Sequence, residues 1–278
     1  MDAAVSESIE DIEIRLLLDA VYRHYHYDFR HYAQASVKRR LLQARMQWGY
    51  DSISEMQAAV LRDETMLPRL LNYLTVQVSE MFRDPSYFRA LREKVVPHLR
   101  TYPSLKVWVA GCSHGEELYS LAILFEEEGL ADRTIFYATD INPSALRAAQ
   151  AGIFPLDRIR LFTENHRLSG GHSSLSKYYT ADYDRAVFDK PLRERAVFSD
   201  HSLVTDAAFG EMHLVSCRNV LIYFDRELQD RAVGLFGESL VRGGFLGVGS
   251  KESLRFSSHA DLFTEFVREE RIYRRNAR

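Results

Sequence analysis

A short glycine-containing stretch is the first part of the sequence whose residue types could bind a cofactor. Gly111 and Gly115 enclose three residues, and two glutamates, Glu116 and Glu117, follow immediately. Glycines let the backbone turn sharply and approach a ligand without a Cβ in the way. Glutamates at the start of the following helix would repel a phosphate but attract the α-ammonium of a methionine moiety. The loop therefore favours S-adenosylmethionine over NAD or ATP.

A carboxylate with a suitable spacing follows this loop. Asp140 lies about 25 residues after Gly115, at the end of the next hydrophobic run, and Asn142-Pro143 then has the pattern of a helix start. A carboxylate in this place can accept hydrogen bonds from both hydroxyls of a ribose. Asp140 is therefore predicted either to bind the ribose of a nucleoside or to stabilise a turn.

The hydrophobic run Met212–Cys217 is followed by three further candidates for a binding or catalytic site. Asn219 carries a donor and acceptors that can bind polar atoms of a cofactor. Arg218 either takes part in the same site or forms a surface ion pair. The hydroxyl of Tyr223 could lie near a transferring methyl group, or its ring could be a core aromatic.

Arg83 stands where a helical first part of the sequence meets the rest, and Asp84-Pro85 should end the preceding element. A guanidinium can grip a carboxylate with two parallel hydrogen bonds. An arginine at a junction can equally tie two domains together. The residue types alone leave both roles for Arg83 open.

The elements that must position these residues fall into two regions. The first reads as four amphipathic helices, Glu10–Tyr25, Ala33–Trp48, Ser52–Leu61 and Met66–Leu74. After Pro103 the predicted strands are Lys106–Ala110, Thr134–Thr139, Met212–Cys217 and Phe245–Gly249, and the predicted helices are Leu118–Glu127, Pro143–Ala151 and Arg226–Val241. This alternation predicts an α/β fold with a doubly wound, mostly parallel sheet.

The same patterns predict the domain organisation. We expect an all-α domain over residues 1–85 and a sheet domain over residues 86–278. From about 155 to 197 the alternation stalls over more residues than a crossover needs, which predicts a small, partly β inserted subdomain. The final stretch Thr264–Arg275 is predicted to form an antiparallel strand pair at the sheet edge.

Composition narrows the class of protein. Of the 278 residues 46% are hydrophobic, and 36 Lys and Arg stand against 39 Asp and Glu. This balance argues against a nucleic-acid binder or a membrane-surface binder. Two isolated cysteines, Cys112 and Cys217, indicate reduced thiols. Because no signal-peptide pattern and no run of about 18 apolar residues is present, we expect a soluble cytoplasmic protein. We expect no metal.

One predicted helix is strongly basic. The segment Phe29–Tyr50 contains Lys38, Arg39, Arg40 and Arg45, and it has no acidic residue. This segment is either a solvated basic face or a docking surface for an acidic helix, which would also steer a partner electrostatically.

Three phrases of the sequence resemble the CheR family of chemotaxis receptor glutamate methyltransferases. Residues 110–120 read AGCSHGEELYS beside the family's AGCSTGEEPYS, residues 217–225 read CRNVLIYFD, and residues 81–84 read MFRD beside an FFRD-type junction. The resemblance extends over nearly the whole chain. It implies a class I S-adenosylmethionine methyltransferase fold and a reaction that yields glutamate methyl esters and S-adenosylhomocysteine.

The resemblance also implies roles for particular residues. Arg83 and Tyr223 would lie at the methyl-transfer point, and the basic helix would bind the cytoplasmic helices of a chemoreceptor. The implied cofactor contacts are Gln77, Ser79, Arg83, Gly111, Glu116, Glu117, Asp140, Ser202, Leu203, Arg218 and Asn219. The insert would dock receptors, in some members by capturing a peptide at the receptor's C-terminus. Gln77 and Ser202 replace asparagines of the family, and His114 replaces a threonine.

The expected acceptor sets the kind of catalysis. A glutamate with a reference pKa of about 4.3 is already ionised at pH 7, so no strong base is needed. Rate enhancement should then come from alignment and desolvation. Two alternatives stay open. One is a non-catalytic module that senses the cofactor and docks on a partner, and the other is a methyltransferase for another substrate such as RNA.

Overall fold

The computed structural model describes residues 7–277, which form two compact units. The first unit contains residues 7–76 together with Tyr223–Leu228, and the second contains residues 77–222 and 229–277. The boundary between the units therefore falls after Val76, a few residues before the junction arginine.

The first unit contains the four helices that the sequence predicts. They are α1 (Ile9–Tyr25), α2 (Gln34–Trp48), α3 (Ile53–Arg62) and α4 (Met66–Leu74). Helix α1 begins after Ser8, whose hydroxyl accepts a hydrogen bond from the Asp11 N–H and so caps the helix. Its buried residues recur three or four positions apart and face the other helices: Ile14, Leu17, Leu18 and Val21.

The remaining helices and strands build the second unit, with one helix beginning in the first. The helices are α5 (Pro85–Ala90), α6 (Val96–Leu99), α7 (Glu116–Glu127), α8 (Pro143–Ala151), α9 (Ile159–Leu168), α10 (Pro191–Glu194) and α11 (Arg226–Ser239). The strands are β1 (Leu105–Ala110), β2 (Thr134–Asp140), β3 (Ile153–Pro155), β4 (Tyr179–Asp182), β5 (Arg185–Phe188), β6 (Ala196–Asp200), β7 (Met212–Cys217), β8 (Leu240–Val248), β9 (Phe263–Val267) and β10 (Ile272–Arg275). A π-helical turn joins α5 to α6.

The main sheet is the predicted doubly wound sheet. Its strand order is β6-β2-β1-β7-β8-β10-β9, and the first five strands run parallel. Strand β10 lies antiparallel between β8 and β9, which confirms the predicted edge pair. Because the central strands are parallel, the loops after β1, β2, β6 and β7 leave the same edge of the sheet, where ligands of such sheets bind.

The insert contains a second, three-stranded antiparallel sheet in the order β3-β5-β4. Helix α9 lies in the chain between β3 and β4 and buries Ile159 and Phe162. The insert is therefore partly β, as the sequence predicts, but its longest element is a helix.

Some predicted bounds differ in the structure. Strand β6 begins at Ala196, at the end of the predicted insert, but it belongs to the main sheet, where it pairs with β2 from Phe136↔Ala196 to Asp140↔Asp200. Helix α11 ends at Ser239, two residues before the predicted end at Val241. Strand β8 begins at Leu240 and not at the predicted Phe245.

No helix among residues 7–277 is long and apolar enough to span a membrane. The thiols of Cys112 and Cys217 are both buried and unpaired, as expected for reduced cysteines.

Candidate functional site

The loop after β1 has the tight backbone that its glycines predict. Gly111 and Gly115 have φ angles of 71° and 96°, and Ser113 between them has a φ of 52°. A Cβ on Gly111 would lie 2.6 Å from Cγ2 of Val220, and one on Gly115 would lie 3.0 Å from Cβ of Ala149. Only glycine fits both positions, so the loop backbone comes close to its neighbours at the carboxyl edge.

Asp140 ends β2 and holds this loop from the next strand. Its buried carboxylate accepts hydrogen bonds from the Ser113 N–H at 2.8 Å and from the Asn142 N–H at 2.9 Å. Burial raises the pKa of Asp140, and the two backbone donors partly offset this. Each carboxylate oxygen accepts one backbone bond and retains a second lone pair, which a ribose hydroxyl could use. Asp140 thus stabilises a turn and keeps the capacity to bind a nucleoside.

Two polar residues of the irregular segment before Arg83, Gln77 and Ser79, are hydrogen-bonded at this edge of the sheet. The Ser113 hydroxyl donates to Oε1 of Gln77 at 2.6 Å. The backbone carbonyl of Ser79 accepts a hydrogen bond from Arg158, which comes from the insert. Gln77 and Ser79, which the resemblance implies as cofactor contacts, are therefore held at the cofactor loop by named partners.

The two glutamates that open α7 have different surroundings. Oε1 of Glu116 lies 2.9 Å from Nη1 of Arg158, while its buried Oε2 has no hydrogen-bond partner among residues 7–277. Glu117 instead has both oxygens engaged, because Ser216 Oγ donates at 2.6 Å and Arg218 Nη1 lies at 3.3 Å. Of the two glutamates, only Glu116 therefore has a carboxylate oxygen that accepts no hydrogen bond from the described residues.

Arg218 forms a buried network and not a surface ion pair, since only 1% of its side chain is exposed. Its Nη2 lies 2.7 Å from Oδ2 of Asp84 and donates to the Arg83 carbonyl at 2.9 Å. Its guanidinium carbon lies 4.1 Å from the centre of the Tyr87 ring, a cation–π geometry. Arg218 therefore fixes the backbone of the junction that carries Arg83.

Arg83 is half-buried, whereas Arg218 is fully buried. Both flanking residues, Phe82 and Asp84, have left-handed φ angles of 52° and 56°. Nη1 of Arg83 donates a long hydrogen bond of 3.4 Å to the Val78 carbonyl. Across residues 7–277 its guanidinium forms no ion pair, so its charge is available to a carboxylate that arrives from outside.

The turn after β7 is held by a buried glutamate. Asn219 has a φ of 60°, and its N–H donates to Oε2 of Glu252 at 3.0 Å. Glu252 also accepts from the N–H groups of Ile222 and Gly249 at 3.1 and 2.5 Å. Burial raises the pKa of Glu252 against these three backbone donors. Glu252 thus fixes the backbone that presents Asn219, a role that the local sequence pattern does not show.

The loop after β6 carries Ser202 and Leu203. The Ser202 N–H donates to Asp206 Oδ2 at 2.8 Å, and its hydroxyl accepts from the Val204 N–H at 3.2 Å. Leu203 is buried. Both follow the strand that pairs with β2, so they leave the same sheet edge as Asp140.

Tyr223 ends a short 3₁₀ turn and groups with the helical unit. Its ring is half-buried, and its centre lies 5.3 Å from the guanidinium carbon of Arg40. The ring therefore has a packing role in the helical unit, and a catalytic role for its hydroxyl stays a prediction.

The basic helix is less basic in the structure than in the sequence. Arg40 is only 8% exposed and donates to the Leu74 carbonyl and the Ser36 hydroxyl. Lys38 lies 2.6 Å from Asp11, so α1 neutralises one of the predicted cations.

The other two basic residues of α2, Arg39 and Arg45, differ in their surroundings. Arg45 lies 3.4 Å from Glu10, another acidic residue of α1, whereas Arg39 is exposed. The burial of Arg40 removes it from any exposed docking face, and Arg39 is left as the cation without an ion pair among the described residues.

No group of three or more His, Cys, Asp or Glu side chains within residues 7–277 could hold a metal ion.

Comparison with known proteins was made for the whole chain. A profile described as "CheR methyltransferase, SAM binding domain" matches residues 77–271, and one described as "CheR methyltransferase, all-alpha domain" matches residues 12–75. The protein Cher3 of Pseudomonas putida is 56% identical over 98% of this chain and 99% of its own. The chemotaxis protein methyltransferase of Listeria monocytogenes is 32% identical over 80% of this chain and 83% of its own.

Proposed function

This chain belongs to the CheR methyltransferases, and we propose that it transfers methyl groups from S-adenosylmethionine to glutamate side chains on the cytoplasmic helices of chemoreceptors. The observation that carries the proposal is the guanidinium of Arg83, which forms no ion pair within residues 7–277. Arg218 holds its backbone and bonds to Glu117 in the helix that follows the cofactor loop. A cation on a backbone that is tied in this way to the start of α7 suits an anionic acceptor.

The residues at the carboxyl edge fit S-adenosylmethionine. Asp140 retains acceptor capacity for ribose hydroxyls, and the buried Oε2 of Glu116 needs a donor such as an α-ammonium. Glycines at 111 and 115 remove side chains from the loop. When bound, S-adenosylmethionine supplies a methyl group on a positively charged sulfur and leaves as S-adenosylhomocysteine.

We infer that the protein catalyses the transfer by positioning the acceptor carboxylate relative to the methyl donor. The acceptor carboxylate is ionised at neutral pH, so no side chain has to remove a proton. Arg83 attracts the carboxylate and must leave one of its oxygens free to attack. Holding donor and acceptor in line can contribute roughly 7–11 kcal/mol. The hydroxyl of Tyr223 is proposed to complete the transfer point.

The partner surfaces are proposed from the same family membership. The helical unit would contact the receptor helices, with Arg39 as its exposed cation. The insert would contact the receptor a second time, in some cases through a C-terminal peptide. A cytoplasmic location follows from this choice of partner.

The test is a methyl-incorporation assay with labelled cofactor on the cytoplasmic fragments of each receptor of the host, followed by mapping of the labelled residues. We expect label on glutamates of at least one receptor. Cofactor binding without label on any receptor would instead support a cofactor-sensing module. Label on RNA alone would support a different acceptor.

A further inference from the structure

One cation at the cofactor edge comes from the insert. Arg158 ends the 3₁₀ turn Leu156–Arg158, between β3 and α9. Its Nη1 lies 2.9 Å from Oε1 of Glu116, and its Nη2 donates to the Ser79 carbonyl. One side chain therefore connects the insert, the start of α7 and the irregular segment that contains Ser79.

The ion pair between Arg158 and Glu116 compensates the charge of a buried carboxylate. Only 1% of the Glu116 side chain is exposed, and a buried carboxylate without a counter-charge is strongly unfavourable. The N-terminus of α7 supplies part of the compensation through the helix dipole. Arg158 supplies a full positive charge, and its own position is supported by the Phe162 ring 4.8 Å away.

One of the two carboxylate oxygens of Glu116 has no partner in the described part of the chain. Oε1 is engaged by Arg158, while the buried Oε2 accepts no hydrogen bond from residues 7–277. An orphaned acceptor of this kind needs a donor that the described part of the chain does not supply. The α-ammonium of a methionine moiety is such a donor.

We propose that Arg158 is a positioning residue for the cofactor: it holds Glu116 with Oε2 free for the α-ammonium, and it fixes Ser79 beside it. The proposal rests on the proposed function, because it requires an S-adenosylmethionine site at this edge. It makes the insert a contributor to cofactor binding in addition to its proposed contact with receptors. Arg158 is 33% exposed, so it can be substituted without opening the core.

The test is calorimetry of the intact chain with S-adenosylhomocysteine. We compare the wild type with Arg158→Gln, Arg158→Lys, Glu116→Gln and the double variant. Arg160→Gln is the matched control, because Arg160 is an exposed arginine two residues further along the same segment. Thermal unfolding of each variant without ligand accompanies the binding measurement and separates loss of fold from loss of affinity.

We expect Arg158→Gln to raise the Kd roughly tenfold to a hundredfold, as loss of a charged hydrogen bond does. Arg158→Lys should recover most of this loss, and Arg160→Gln should bind like the wild type. The double variant should bind no more weakly than the worse single variant, because both act on one contact.

A Kd for Arg158→Gln within twofold of the wild type would overturn the proposal. So would independent effects, in which the double variant loses the product of the two single losses. A fall in affinity that merely follows a fall in Tm, without recovery in Arg158→Lys, would also overturn it. Binding by the wild type without any receptor methylation would contradict the proposed acceptor and leave the role of Arg158 standing.

Discussion

Arg83 and Arg218 are two arginines of one network with different roles. Both terminal nitrogens of Arg218 bind partners inside the protein, whereas the guanidinium of Arg83 forms no ion pair within residues 7–277. The sequence identifies both as candidates but cannot tell them apart, because burial depends on Asp84 and Glu117, which come from different elements.

Replacing Arg83 should separate catalysis from cofactor binding. We expect Arg83→Ala to lower the single-turnover rate by about a hundredfold or more, because a misplaced acceptor loses alignment. The Kd for S-adenosylhomocysteine should stay within a few fold, as measured by calorimetry. Equal loss of rate and affinity would mean that Arg83 only maintains the structure.

Replacing Asp140 should do the reverse. In Asp140→Asn an amide NH₂ would face one of the backbone N–H groups that the carboxylate now accepts. We expect the Kd for S-adenosylhomocysteine to rise roughly tenfold or more, since a satisfied buried acceptor becomes a donor facing a donor. Asp132→Asn is the control, because that side chain is 99% exposed. An unchanged Kd would contradict the ribose assignment.

The same comparison shows what the sequence can reveal about the site. Asp140 and the loop glycines follow strands directly, so spacing alone identifies them. Arg158 lies 42 residues from Glu116, and Glu252 lies 33 residues from Asn219. Neither has a local pattern that signals its partner, and only the fold brings each pair together.

Gly111, in the loop between β1 and α7, combines a left-handed φ of 71° with close contact to Val220. Gly129, which follows α7, is a suitable comparison because it has a similar φ of 67° but nothing within 4 Å of its missing Cβ. We expect Gly129→Ala to cost about 1 kcal/mol of backbone strain. Gly111→Ala should cost the same strain plus a steric term, and should weaken cofactor binding.

Chemical denaturation and calorimetry of the two glycine variants check this expectation. Equal losses of stability, with cofactor binding intact in both, would show that Val220 moves away and that the close approach is unimportant.

The π-helical turn, α7 and α9 are joined by a buried network. Nε2 of His166 lies 3.1 Å from Oε1 of Glu127, and Nη2 of Arg92 lies 2.5 Å from its Oε2. Burial alone would raise the pKa of Glu127, but the hydrogen bonds and charges of His166 and Arg92 outweigh it and lower the pKa to about 2. The network ties the insert to the sheet unit through its helix.

This lowered pKa predicts an acid dependence of stability. The stabilisation by ionised Glu127 is present above the unfolded pKa of about 4.3 and is lost as the pH falls towards about 2. Glu127→Gln should therefore flatten this part of the pH profile. It should also lower the free energy of unfolding at neutral pH by roughly 1.5–3 kcal/mol, because the buried Arg92 then keeps only its ion pair with Glu128 and a charged hydrogen bond is lost.

Urea unfolding between pH 2 and pH 7 measures this dependence. The exposed neighbour Glu126→Gln is the control and should retain the wild-type profile. An acid profile of Glu127→Gln that matches the wild type would contradict the assignment.

The strands that the sequence places least well are those without a continuous apolar pattern. Strand β6 alternates between half-buried and exposed residues, so Ala196–Asp200 lacks the buried run that marks the central strands. Gly243 and Gly244 interrupt β8, and its pairing with β7 shifts register. Edge positions and irregular strands depend on their neighbours, and a single sequence does not show these.

The exposed positive charge of the helical unit is smaller in the structure than the sequence indicates. All charged residues from Phe29 to Tyr50 are basic in the sequence. In the structure, however, Glu10 and Asp11 of α1 form ion pairs with Lys38 and Arg45. Burial removes Arg40 from the surface as well. A receptor surface on the helical unit would therefore depend on fewer free charges than the sequence suggests, and more on Arg39.

The acceptor is the central claim, and the most direct test is the chemistry of the product bond. Receptor fragments labelled from methyl-tritiated cofactor are treated with mild alkali, which hydrolyses a carboxyl ester and releases volatile methanol. We expect the label to leave as methanol, and its incorporation to depend on Arg83. Label that resists alkali, or that appears on nucleic acid and never on receptor, would contradict glutamate methylation.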